Sequence, residues 1–230
     1  QTIMITVAIL GATGYTGLEL LRLLIRHPEV RISALTSEKF AGQRLTEVFP
    51  AFLNLFDAPL EKASASLGKK TQLVFSCLPH QASMQKVVPL LEKGLKVIDL
   101  SADFRFRSAE TYAAWYEPHA HPEWLAQAIY GLPELHRAQI KKAALIGNPG
   151  CYTTASILGL APLLKAGWIE PEGIICDTKS GVSGAGRSVT LGSLFSEVNE
   201  SVHAYKIGTH RHAPEIEQEL SGVAGKEVKI

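Results

Sequence analysis

The side chain with the most chemical reach in this sequence is Cys151, in Asn148-Pro149-Gly150-Cys151-Tyr152-Thr153-Thr154. The stretch joins a short apolar run, Ala143 to Ile146, to the helix-forming run Ala155 to Leu164, which puts the thiol near a helix amino terminus. Free N–H groups and the positive dipole end stabilise a thiolate there, and the thiolate is the nucleophilic form of cysteine. The competing reading is a plain Pro-Gly turn with the sulfur as buried filler. Cys77 and Cys176 suit that filler role, because each lies in an apolar run of strand length.

A second chemical element is Gly11-Ala12-Thr13-Gly14-Tyr15-Thr16-Gly17, with a glycine at every third position after an apolar run. Glycines there let the backbone approach a pyrophosphate, and the following helix offers its free N–H groups to the anion. The adenosine ribose then falls beside Thr36-Ser37-Glu38-Lys39. Ser37 and Lys39 suit the 2′-phosphate of NADP, whereas Glu38 suits the ribose hydroxyls of NAD, and a solvated polar loop is the bland alternative.

A third is His210-Arg211-His212, ahead of a helix start at Ala213-Pro214-Glu215. One histidine can act as acid and base and Arg211 can clamp a carboxylate or phosphate. We favour His210, closer to the preceding polar loop, and assign His212 to capping or bracing the helix. An H-x-H metal pair lacks a matching cysteine or carboxylate set. His27, His119, His121 and His136 lie in Pro-flanked or polar stretches that read as solvated surface. Arg105, just past a strand end, and Arg187, closing the glycine-serine loop Ser180 to Arg187, are further anion contacts, or else surface partners of Asp103 and Glu197. A nucleophilic thiol with a nicotinamide suggests acyl transfer to sulfur followed by hydride transfer to the thioester.

These groups need a frame. Ile3 to Leu10, Arg31 to Thr36, Leu73 to Leu78, Leu95 to Leu100 and Ala143 to Ile146 are apolar runs of strand length, and helical patterns follow Tyr15 and span Gln81 to Glu92. Their alternation predicts an α/β, Rossmann-type doubly wound parallel sheet with ligands at the strand carboxyl ends, at Gly11, Thr36, Pro79, Ser101 and Asn148. Past Gly150 the pattern changes to a helix, a strand over Gly173 to Thr178, the glycine-serine loop and a polar stretch. We therefore divide the chain into a nucleotide-binding domain, 1–150, and a second α+β domain, 151–230. Lys226 to Ile230 alternates like an opening strand with nothing to pair against, which reads as a domain truncated at its C-terminal side.

Composition narrows the partners. Among 230 residues, 23 Lys and Arg against 22 Asp and Glu leave no charge excess for nucleic acid or a membrane surface, and no apolar run is long enough to span a bilayer. Three unpaired cysteines fit a reducing compartment.

The ordered set Gly11-Ala-Thr-Gly-Tyr-Thr-Gly17, Ser76-Cys-Leu-Pro-His80, Asp99-Leu-Ser-Ala-Asp-Phe-Arg105, Tyr130-Gly-Leu-Pro-Glu134, Asn148-Pro-Gly-Cys-Tyr152, Ser180-Gly-Val-Ser-Gly-Ala-Gly-Arg187 and His210-Arg-His-Ala-Pro-Glu-Ile216 resembles the N-acetyl-γ-glutamyl-phosphate reductases, relatives of aspartate-semialdehyde dehydrogenase. The resemblance implies an NADP(H)-dependent enzyme of arginine biosynthesis with Cys151 as thioester-forming nucleophile and a histidine of His210-Arg-His212 as acid/base. It implies that Gly14 and its neighbours bind the pyrophosphate, and that the protein is a cytoplasmic homo-oligomer, dimer or tetramer, whose second domain serves catalysis and oligomerisation. It also implies that the rest of the second-domain sheet and a last helix are missing here. The assembled candidates are Cys151 and His210 for catalysis; Gly11, Thr13, Gly14, Tyr15, Thr16, Gly17, Ser37, Lys39, Pro79, Ser183 and Gly184 for the cofactor; and Arg105, Asn148, Glu197, Arg211 and His212 for an acyl-phosphate substrate and released phosphate. Two rivals stand beside this reading: the same chemistry on aspartyl phosphate or a carrier-linked acyl phosphate, and a non-catalytic NADP sensor.

Overall fold

Apolar runs that need cover on both faces form the sheet. The computed structural model describes residues 4–64, 67 and 71–230, so Ile3, at the start of the expected first strand, lies outside the described residues. In chain order the first half runs β1 (Ile5–Leu10), α1 (Tyr15–Leu24), β2 (Val30–Thr36), α2 (Leu45–Val48), β3 (Leu60–Glu61), β4 (Leu73–Ser76), α3 (Ala82–Leu91) and β5 (Lys96–Asp99). The second half has α4 (Ala109–Trp115), β6 (Ala128–Tyr130), α5 (Pro133–Ile140), β7 (Leu145–Gly147), α6 (Cys151–Lys165), α7 (Phe195–Val198) and α8 (Ala213–Ala224).

The seven strands among the described residues are all parallel, in the order β3-β2-β1-β4-β5-β7-β6. The order reverses direction between β1 and β4, the switch point at which doubly wound sheets open a crevice. Register sets Leu10 beside Ser76, Ser76 beside Asp99 and Asp99 beside Gly147, so the strands end level. Val7, Ile9, Leu21, Leu35, Leu45, Phe52 and Leu60 form the core under β1 and β2.

The chain divides into two compact units, Gln1–Arg107 with His119–Asn148, and Ser108–Pro118 with Pro149–Ile230. The first holds the whole sheet. In the second, α6 packs on α8, with Ile157, Leu164, Ile216 and Leu220 buried. Gly173 to Thr178 is not a strand: among the described residues it has no neighbouring strand to ladder with, and Ile175 is left 90% exposed. Cys176 therefore lies outside any strand, and Cys77 falls just past β4.

Lys226 to Ile230 is not a strand either. Gly225, at φ 67°, ends α8, and the chain folds back so that Val228 is buried. Val228 N–H donates to Ser221 Oγ at 2.9 Å, Lys229 N–H to the Pro171 carbonyl at 3.1 Å, and Ile230 N–H to Glu217 Oε1 at 3.2 Å. Three of the backbone donors expected to stand uncovered are thus satisfied.

Candidate functional site

In the first unit the glycine turn follows β1 and feeds α1. Gly11 takes φ 72°, and Gly14 is the N-cap of α1 without any side-chain cap and with no acidic residue in the first turn. A Cβ on Gly17 would lie 2.6 Å from the Gly11 carbonyl oxygen and 2.8 Å from Ala12 Cα, so only glycine lets the helix start this close to the turn. An uncapped, uncharged helix start with bare backbone in front of it fits a phosphate group. Thr13 Oγ1 lies 2.9 Å from Ser37 Oγ, which joins the turn to the end of β2. Lys39 is exposed, its ammonium 5.3 Å from the Phe40 ring centroid, and Tyr15 is half-exposed. Pro79 is exposed beyond β4.

Arg105 differs from a surface arginine. It is 8% exposed, and its Nε and Nη2 donate to the Asn148 and Leu100 carbonyls, each at 2.7 Å, which tie the segment after β5 to the segment after β7. Gly147 permits that crossing, since a Cβ there would meet the Phe104 carbonyl at 2.1 Å. Asp103, offered above as a surface residue, is a fully buried acid whose oxygens accept from Gln81 N–H and Met84 N–H. His119, expected as surface, is half-buried: its Nε2 donates to the Asp103 carbonyl at 2.7 Å, and burial holds its pKa below the usual imidazole value.

In the same unit Asp99 is fully buried and accepts from Ser83 and Ser101 hydroxyls. Burial pushes its carboxyl up to about 6, against the lowering effect of those two bonds. Burial, with the Asp99 charge, pushes the Cys77 thiol up to about 12.

In the second unit Cys151 is the exposed first residue of α6, a helix of 15 residues with Gly150 as N-cap. Thr153 Oγ1 and Thr154 Oγ1 both donate to the Gly150 carbonyl, at 2.6 and 2.9 Å, and Gly150 N–H donates to the buried Glu215 at 3.1 Å. Tyr152, the residue after Cys151, joins His210, His212 and Tyr205 in an aromatic cluster. The Tyr152 ring centroid lies 5.3 Å from His210 and 5.8 Å from His212, and Tyr205 OH donates to Tyr152 OH at 3.0 Å. The two imidazoles stand 4.7 Å apart, and His212 N–H donates to His210 Nδ1 at 3.1 Å. Burial, then the nearby Lys206 ammonium, holds His210 below its usual pKa, which favours the neutral imidazole that accepts a proton. His212 occupies the N-cap position of α8 without a side-chain cap bond, and the Arg211 guanidinium lies 4.8 Å from the Tyr116 ring centroid. Ser183 and Gly184 sit in an exposed turn, Val182–Ala185, and Glu197 is exposed on α7.

Residues 6–143 match the model for the semialdehyde dehydrogenase NAD-binding domain, and residues 151–230 that for the semialdehyde dehydrogenase dimerisation domain. The chain belongs to the semialdehyde dehydrogenase family. Similar members include proteins from Geotalea daltonii and Syntrophobacter fumaroxidans, each 53% identical over 99% of this chain and each named N-acetyl-gamma-glutamyl-phosphate reductase. The chain spans 66% of their length. The fold is that of family structures: aspartate semialdehyde dehydrogenase with NADP from Candida albicans has TM-score 0.65 at 18% identity over 98% of this chain and 66% of that one. Aspartate semialdehyde dehydrogenase II from Vibrio cholerae has TM-score 0.64 at 17% identity over 98% of this chain and 68% of that one.

Some members of these clusters were not candidates from sequence. Tyr152 and Glu215 stood inside quoted motifs, where adjacency to Cys151 and to the His-Arg-His stretch was the available signal. Tyr205 carried none, because only the fold brings it to Tyr152, 53 residues away.

Proposed function

We propose that this family member carries out the NADPH-dependent reductive dephosphorylation of N-acetyl-γ-glutamyl phosphate to N-acetylglutamate semialdehyde through a thioester on Cys151. The observation that carries it is an exposed thiol at the first position of a long helix, one residue before the Tyr152 ring that packs against two imidazoles, of which His210 is biased towards its neutral form. The relatives' shared name directs the choice of acyl group.

In this mechanism His210 takes the proton of the Cys151 thiol, and Sγ attacks the acyl carbonyl carbon. The carbon–oxygen bond to phosphate breaks, and the proton held on His210 leaves with inorganic phosphate. Bound NADPH supplies the hydride that reduces the thioester. The carbon–sulfur bond then breaks, and the aldehyde departs from a regenerated thiolate. Gly11, Thr13, Gly14, Tyr15, Thr16 and Gly17 hold the pyrophosphate, and Ser37 and Lys39 the 2′-phosphate, with Pro79, Ser183 and Gly184 as further cofactor contacts. Arg211 takes the substrate carboxylate, and Arg105, Asn148, Glu197 and His212 complete the substrate site. In this reading 1–150 is the NADP domain and 151–230 the catalytic and oligomerisation domain of a cytoplasmic homo-oligomer. Exposed Phe195, Val202 and Ile207 in the second unit give a second copy apolar surface to cover.

The test is phosphate-dependent reduction of NADP with N-acetylglutamate semialdehyde, with aspartate semialdehyde as comparison. Cys151→Ser is expected to abolish turnover while leaving NADP binding intact, and His210→Asn to lower it by about 10²–10⁴. NADP binding without phosphate-dependent reduction in the wild type makes the protein a sensor, and preference for aspartate semialdehyde reassigns the substrate. Loss of turnover in His212→Asn alone moves the base to His212.

A further inference from the structure

Gln81 is one of four non-glycine residues at positive φ among the described residues. At φ 66° and ψ −50°, with Ala82 N–H donating to the His80 carbonyl at 2.9 Å, it is the centre of a γ-turn of the rare, strained kind. Strained backbone persists only where its surroundings hold it, and such positions cluster at functional sites. The holder is Asp103. Its Oδ1 accepts from Gln81 N–H and its Oδ2 from Met84 N–H, each at 2.9 Å, so one carboxyl pins both the strained residue and the first turn of α3.

Asp103 is itself fixed from three directions. Its side chain is fully buried, its N–H donates to Ser101 Oγ at 3.0 Å, and its carbonyl accepts from His119 Nε2. The turn it holds stands at the carboxyl end of β4, and Gly11 lies against the same segment, since a Cβ there would be 2.8 Å from the Cys77 carbonyl oxygen. The two sides of the switch-point crevice are thus the glycine turn after β1 and the strained turn after β4.

We propose that Asp103 is a positioning residue for the nicotinamide half of the cofactor, clamping the γ-turn at Gln81 so that the β4 side of the crevice is preformed. This rests on the dinucleotide reading above. The adenosine half lies towards Ser37 and Lys39, on the β2 side of β1, and is independent of the clamp. The clamp therefore separates the two halves of one ligand. A group that only stabilised the fold would not do so.

The experiment measures dissociation constants by titration calorimetry for NADPH and for 2′-phospho-ADP-ribose, which lacks the nicotinamide ring, together with the melting temperature. The proteins are wild type, Asp103→Asn and Gln81→Gly. Asparagine keeps one acceptor and turns an amide donor on the other N–H. Glycine removes the strain at positive φ but frees the turn to wander. Both variants are expected to weaken NADPH about tenfold while binding the fragment as wild type does, and Gln81→Gly is expected to melt no lower than wild type. If Asp103→Asn does not fold, Gln81→Gly carries the test alone. Unchanged NADPH affinity, or equal loss for NADPH and fragment, overturns the inference and leaves the dinucleotide reading standing. A wild type that binds neither ligand overturns both.

Discussion

Alkylation of the three thiols tests the assignment of Cys151 directly. Burial and the Asp99 charge push Cys77 up to about 12. At pH 8 such a thiol is ionised about one part in 10⁴, whereas an unperturbed thiol near 8.5 is about one quarter thiolate. Since only the thiolate reacts, ionisation alone slows Cys77 by about three orders of magnitude, before its restricted access is counted. Cys151 is exposed at the first position of α6, while Cys176 is half-buried and lies in no helix. Limiting iodoacetamide, followed by peptide mass spectrometry over time, is therefore expected to label Cys151 first and Cys77 last, with turnover falling in step with Cys151 modification. Bound acyl substrate is expected to protect Cys151 alone. Early labelling of Cys77, or activity that survives complete alkylation of Cys151, refutes the thioester mechanism.

The glycine turn separates packing from binding. Gly17→Ala drives a Cβ into the Gly11 and Ala12 backbone and is expected to lower stability by about 1–3 kcal/mol in denaturant titration, whereas Gly14→Ala, whose Cβ has only the Gly11 oxygen at 3.6 Å, keeps its stability and loses NADP binding. Asp99 makes stability depend on pH. Its carboxyl titrates near 6 in the fold against 3.8 when unperturbed, so the folded protein binds the proton more tightly. That contribution is complete below about 3.8 and is lost as pH rises through about 6. The stability lost between about pH 4 and neutral pH is about 3 kcal/mol, and Asp99→Asn should remove this slope from the unfolding free energy measured between pH 4 and 7.

The parts of the molecule legible in the sequence are those built from local patterns. β1 is an apolar run stopped by glycine, α1 has Leu18, Leu21 and Leu24 on one buried face, and Cys151 is announced by Pro-Gly before a helix. β6 was not legible, because three residues carry no period and become a strand only by pairing with β7. The reverse holds for Gly173 to Thr178, whose β-forming residues lack a partner strand among the described residues. A strand belongs to two segments, and reading one of them cannot decide it.

The same division runs through the site. Cysteine, histidine and glycine declare themselves by type, but the acids that hold the backbone around them do not. Asp103 reaches amides 22 and 19 residues earlier, and Glu215 reaches Gly150 across 65 residues. On sequence grounds a surface pairing of Asp103 with Arg105 stands as the alternative to a ligand contact, and in the fold both side chains are buried and bond to backbone groups. Each buried carboxyl answers to a main-chain donor, a demand set by the tertiary path and invisible in composition. In this chain the exposed thiol and the glycines are therefore readable as candidates for chemistry, while Asp103 and Glu215, which accept from the Gln81 and Gly150 amides, become readable only once those amides have found their places in the fold.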